Sequence, residues 1–119
     1  MVRPSMPVIY KICPGPEWHA AAAAGGYQGS PADRRDGFIH LSTGEQVRET
    51  ARRHFAGRPD LVLVAVDDRS LGSALRWEPS RGGELFPHIY GELPLAAVLW
   101  VKCLPWDGER HVFPPDVLA

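Results

Sequence analysis

Apolar and polar positions fall into short blocks along the chain, and each block predicts one element. Val8 to Cys13 (VIYKIC) predicts a strand, with Ile9 and Cys13 bracketing Lys11 on one face and Val8, Tyr10 and Ile12 on the other. The turn formers Pro14, Gly15 and Pro16 end it. A short helix follows from about Pro16 to Ala24: Pro16 suits its first turn, Glu17 suits the positive end of its dipole, and Gly25-Gly26 stops it. Residues 26–36 (GYQGSPADRRD) read as a polar loop. GFIHLS, residues 37–42, predicts a strand in which Ile39 and Leu41 face the core and Phe38, His40 and Ser42 face the other way. A helix is expected from about Gly44 to Phe55, because Val47, Ala51 and Phe55 make one apolar stripe. Ser42 with Glu45, and Thr43 with Gln46, have the spacing of a capping box at its start.

Leu61 to Val66 is a continuous apolar run, the mark of a central strand covered on both faces. Ser70 to Leu75 suits one helical turn, and Arg76-Trp77-Glu78 a short strand. SRGGELFP reads as a loop, HIYG begins another strand, and Leu95 to Leu104 is the last strong strand. The stretch PWDGERHVFPP is turn-rich, and residues 1–6 and 116–119 read as tails. The expectation is one α+β domain over residues 7–115, with about six strands and two or three helices.

Composition narrows the classes. A chain of 119 residues with 45% hydrophobic content suits one domain with one core and gives no case for disorder. The longest apolar stretches run to about ten residues, short of the roughly 20 that span a bilayer. No charged lead precedes an apolar segment at the N-terminus, so no signal peptide is read and a cytoplasmic setting is expected. The formal charge of −1 argues against a nucleic-acid or anionic-membrane partner. Arg34, Arg35, Arg48, Arg52, Arg53 and Arg58 each have Asp or Glu nearby and read as solvated surface. Cys13 and Cys103 lie in strand-like segments without metal spacing, and both are expected to be buried free thiols.

Strand alternation supplies the candidate chemistry. In FPHIY, Phe86, His88 and Tyr90 share one face, as Phe38, His40 and Ser42 do in GFIHLS. If those strands are neighbours, His40, Ser42, His88 and Tyr90 line one cleft, with Glu78 close by. Titratable groups converging in this way suit acid–base work: His40 or His88 would move the proton and Glu78 would orient a histidine or a ribose hydroxyl. Beside Gly82-Gly83, Arg81 could grip a phosphate or carboxylate, and Trp77 or Trp18 could stack a base, although either indole also suits a core. His40, His88 and Glu78 could in principle hold zinc, but no motif of fixed metal geometry such as HExxH is present, and no metal site is assigned. The GxSxG elbow of hydrolases and the GxGxxG fingerprint of dinucleotide folds are both absent.

The ordered string YKI, GYQGSPAD, DGFIHLST, DLVLVAVD and WEPSRGGELFPHIYG closely resembles the bacterial family called domain of unknown function 952, over about residues 8 to 114. More distantly, HLS followed by a capped helix is similar to a segment of RNA 2'-phosphotransferases, in the ADP-ribosyltransferase superfamily. That likeness implies a split, mostly antiparallel sheet with NAD in its cleft. It lays the first-strand ligand position on Lys11 and the middle-strand one on His40, Leu41 and Ser42. The late-strand position falls in FPHIY, where His88 stands in place of an acid. The implied site is catalytic at His40, His88 and Glu78, with Lys11, Ser42, Trp77, Arg81 and Tyr90 binding a nucleotide or other phosphorylated small molecule. A non-catalytic regulatory or interaction module on the same fold is the alternative, with a small metal-dependent hydrolase behind it. The residues leave the oligomeric state open.

Overall fold

The longest strands carry the most apolar surface and make the main sheet. In the computed structural model, which describes residues 8–117 without the side chain of Arg81, β1 (Val8–Pro14) and β5 (Leu61–Asp67) pair antiparallel along their whole length. β9 (Val98–Leu104) adds to the far side of β5, with a bulge between Ala65 and Val66. β4 (Ser42–Thr43) adds to β1, so this sheet runs β4-β1-β5-β9. A second sheet has the order β3-β7-β6, from β3 (Ile39–His40), β7 (Leu85–Ile89) and β6 (Leu75–Pro79). A two-residue pair, β2 (Gly26–Tyr27) with β8 (Leu93–Pro94), completes the strands, and every strand pairing among the described residues is antiparallel.

Two cores lie on the two faces of the larger sheet. Ile9, Cys13, Val62, Val64 and Val66 pack against Ile39, Leu41, Ile89, Trp18 and Tyr27. Tyr10, Ile12, Leu61, Leu63, Ala65 and Leu104 pack on the other side against Val47, Ala51 and Val117. The period-two alternation of β1 and β5 therefore sorts their side chains between two separate hydrophobic clusters. Val117 is buried and its carbonyl accepts from Arg48 Nη2 at 3.0 Å, so the packed domain reaches past residue 115.

The helices differ from the expected ones in instructive ways. α1 (Gly15–Ala24) has proline in its first turn and stops at Gly25, which takes φ 98° and donates back to Ala21 and Ala22. The segment expected to be a polar loop contains α2 (Pro31–Asp36). Its capping box is reciprocal: Ser30 Oγ accepts from the Asp33 N–H at 3.1 Å, and Asp33 Oδ2 accepts from the Ser30 N–H at 2.9 Å. α3 (Val47–His54) starts three residues later than the expected Gly44, because residues 42–43 are extended and paired with β1. Thr43 and Gln46 make their reciprocal bonds (3.0 and 3.2 Å), whereas Ser42 does not cap: its Oγ lies 2.9 Å from Thr50 Oγ1.

The expected strand 37–42 is broken at Leu41. His40 belongs to the three-stranded sheet, Ser42 to the four-stranded one, and the Leu41 N–H between them donates to the Pro87 carbonyl at 3.0 Å. Leu85 to Pro87, read as loop, are strand, and the last strand begins at Val98 after a single 3₁₀ turn (Leu95–Ala97). Cys13 is buried, but Cys103 is exposed because it lies on the edge strand β9. No helix among the described residues is long and apolar enough to cross a membrane.

Candidate functional site

Strand pairing builds the site. β3 and β7 pair with His40 directly opposite His88, and β7 and β6 pair with Arg76 opposite His88 on its other side. The two imidazole centroids are 5.5 Å apart and nearly perpendicular. Phe38 packs against both, stacked on His88 at 4.1 Å and tilted to His40 at 4.7 Å, and also meets the Tyr90 ring at 5.3 Å. Of the residues read from alternation as one face, Phe38, His40, His88 and Tyr90 come together on and beside β3 and β7, whereas Ser42 pairs into the other sheet.

Each histidine is held by a different carboxylate. His88 Nδ1 lies 2.7 Å from Glu78 Oε1, and the Tyr90 hydroxyl donates to the same carboxylate at 2.9 and 3.1 Å. Arg76 places its guanidinium 4.6 Å from the Tyr90 ring centroid. The His88 and Tyr90 hydrogen bonds outweigh desolvation and hold the Glu78 carboxyl below its ordinary range, while the same bond pushes the Tyr90 phenol up. An imidazole donating Nδ1–H to a carboxylate presents Nε2 as its basic nitrogen. Among the described residues, Nε2 of His88 has no hydrogen-bond partner.

His40 is held more tightly. Its Nδ1 lies 2.6 Å from Asp33 Oδ1 and its Nε2 3.0 Å from Asp36 Oδ2. Asp33 also accepts from the His40 backbone N–H at 3.2 Å and pairs through Oδ2 with Lys11 Nζ at 2.8 Å. Lys11 Nζ in turn donates to the His40 carbonyl at 3.1 Å. Burial alone would raise the Asp33 carboxyl, but the His40 bond, the Lys11 charge and the Ser30 N–H together hold it well below the usual range. Gly29 makes this packing possible: at φ 106° it carries no side chain, and a Cβ there would come within 2.8 Å of the Asp33 Cβ.

Three of the expected ligand-binding residues sit elsewhere. Lys11 is buried behind the His40 backbone, where its charge is spent on Asp33 and a carbonyl. Ser42 is buried beside Tyr10 and bonded to Thr50, because the strand breaks before it. Trp77 pairs with Pro87, and alternation along β6 turns it to the face opposite Glu78. Trp18 packs on Tyr27 in the core, with centroids 5.8 Å apart. The Arg81 side chain lies outside the described residues. Asp33, Asp36 and Arg76, which the residue-by-residue reading did not single out, complete the arrangement. The Ser30-to-Asp33 spacing was the available signal for the first of them.

The described residues contain no group of three or more His, Cys, Asp or Glu arranged to hold a metal ion. A surface groove of about 410 Å³ lies between α1 and the segment leading into α2, lined by Glu17, Ala21, Tyr27, Gln28, Pro31 and Arg34. None of the expected site residues lines it.

A family model described as protein of unknown function (DUF952) matches residues 12–101. Protein CC0527 from Caulobacter crescentus is similar in sequence and structure. Its crystal structure is 48% identical with a TM-score of 0.84, covering 87% of this chain and 91% of that one. Its solution NMR structure is 47% identical with a TM-score of 0.83, covering 96% and 98%. No curated protein matches the chain at a significant level.

Proposed function

Because the chain belongs to the DUF952 family of proteins of unknown function, we propose a function from its own geometry: the face of the three-stranded sheet bearing His40, His88 and Tyr90 binds a nucleotide or another phosphorylated small molecule. One observation carries this reading. Two histidines stand directly opposite on paired strands, and each is fixed through Nδ1 by a different carboxylate. Proton transfer requires an imidazole held in one orientation, and both rings are held so. In this reading His88 moves the proton through Nε2, Glu78 and Tyr90 hold its ring, and Phe38 and Tyr90 offer a surface for a base or nicotinamide ring. Arg76, with Arg81, meets phosphate. The resemblance to ADP-ribosyltransferases makes NAD the first ligand to test, on the understanding that fold likeness licenses a site more readily than a reaction.

Thermal-shift titration with NAD, NADP, ADP-ribose, simple nucleotides and zinc tests this. A ligand bound only by the native state adds about 2.7 kcal/mol of stability at a hundredfold excess over its Kd. The expected result is a shift with one of the nucleotides that disappears in both His88→Ala and His40→Ala while both variants stay folded. A second reading, a non-catalytic module, is favoured by the engagement of both His40 nitrogens with carboxylates and by His88 standing where the superfamily has an acid. Absence of any shift in the folded native protein would select it.

A further inference from the structure

β9 is an edge strand: among the described residues its backbone pairs only with β5. It runs seven residues, VLWVKCL, without proline or glycine. Edge strands are usually protected by a bulge, a proline or a charged side chain placed to repel a second strand. Here the bulge is confined to the Val98 end. The one charged residue, Lys102, is drawn aside: its ammonium pairs with Asp116 and lies 4.7 Å from the Trp100 ring centroid, on the face shared with Leu104. The other face of β9 is apolar and open, with Leu99 51% and Val101 38% exposed beside Cys103. A backbone edge unpaired among the described residues and an exposed apolar strip coincide on one strand.

We propose that β9 pairs antiparallel with β9 of a second copy of this chain, about a two-fold axis at Val101, joining the two four-stranded sheets into one. The strand is complementary to itself in that register. Val101 meets its own copy and Leu99 meets Cys103, so exposed apolar groups face one another on the open face. Trp100 meets Lys102 of the other copy, the same ammonium–indole contact that each strand already makes internally. An axis at Lys102 instead would set two ammonium groups head-on, and an axis at Trp100 would set Lys102 against Val98. The isologous two-fold closes the edge on itself and leaves no strand to propagate. Two strands of this length bury less than the roughly 1,600 Å² of a standard interface, which places the dimer among weak, reversible associations.

Sedimentation velocity of the full chain from about 1 to 500 μM, a range that brackets micromolar association, is the test. The native chain should pass from monomer to dimer across it. Val101→Lys should remain monomeric with an unchanged circular-dichroism spectrum and melting temperature, and Val112→Lys, at another exposed site off the strand, should still dimerise. In a Cys103→Ser background, Val101→Cys should form a disulfide-linked dimer on oxidation, and Leu85→Cys should not. A native chain monomeric throughout, including one that instead captures an extended peptide on this edge, overturns the proposal. So does a dimer that survives Val101→Lys.

Discussion

His40 and His88 face each other across one pair of strands, yet they are held in opposite senses. At His40 the carboxylate is the deep member: Asp33 is buried, and it is gripped by Lys11 from β1, Ser30 at the start of α2 and two groups of His40 in β3. At His88 the imidazole is the deep member, 5% exposed, while Glu78 stands on the edge strand β6 with a third of its side chain open to solvent. A buried carboxylate satisfied from three elements holds a structure together. A buried imidazole whose orienting carboxylate is reachable, and whose second nitrogen has no partner among the described residues, is suited to exchanging protons with something that arrives. Under the proposed function, Asp33 with His40 serves structure and Glu78 with His88 serves chemistry within a single patch of sheet.

The strongest way to break that division is to remove its deep carboxylate. Asp33→Ala leaves the Lys11 ammonium buried without its partner and should cost about 3–5 kcal/mol, read as a lower midpoint in urea. A loss under about 1 kcal/mol would put the pair among ordinary surface bridges and remove the structural role assigned here. pH sharpens the same point. The folded-state Asp33 carboxyl lies below its unfolded value of about 3.9, so its contribution is fully present above that value. It is then lost as pH falls toward the depressed folded value, because the unfolded chain takes up the proton first. Between about pH 4 and pH 2, stability of the native protein should fall more steeply than that of Asp33→Asn, measured by urea unfolding at each pH.

The two histidines themselves give a smaller and more selective effect. His40→Ala should lower the melting temperature while Asp33 keeps Lys11 and Ser30, and His88→Ala should spare the Asp33 network altogether. Any ligand-induced shift should vanish in His88→Ala. A shift retained there and lost only in His40→Ala would exchange the roles assigned to the two rings. Glu78→Gln is the mildest change. Its amide oxygen can still accept from Tyr90, so the melting temperature should hardly move. The uncharged amide no longer favours the Nδ1–H tautomer of His88, so binding near neutral pH should weaken in isothermal titration.

Much of this was legible from the residues. Alternation in VIYKIC sets Ile9 and Cys13 on one face and Tyr10 and Ile12 on the other, and the structure buries each face in its own cluster where a single core is expected from the chain length. The same period groups Phe38 with His40 and His88 with Tyr90, which do meet, and also adds Ser42, which does not. What escaped is what depends on contacts distant in sequence. α2 has no apolar stripe to announce it: its one buried residue is Asp33, and Asp33 can be buried only because Lys11 waits 22 positions earlier. The break at Leu41 is invisible locally, since GFIHLS alternates smoothly across it, and it is the two competing partners, β7 and β1, that pull the strand apart. Ser42 left the site for that reason. Trp77, expected to stack a base, neighbours Glu78 in sequence, and strand geometry sets adjacent residues on opposite faces.

The break at Leu41 also governs how the molecule can come apart. Within three residues the backbone is committed to the three-stranded sheet at His40, to the Pro87 carbonyl at Leu41 and to the four-stranded sheet at Ser42. A strand that passes from one sheet directly into the next leaves no slack for either to open while the other persists. Amide exchange should therefore report a single cooperative unit, with the slowest protons of β7 and of β5 released by the same global event.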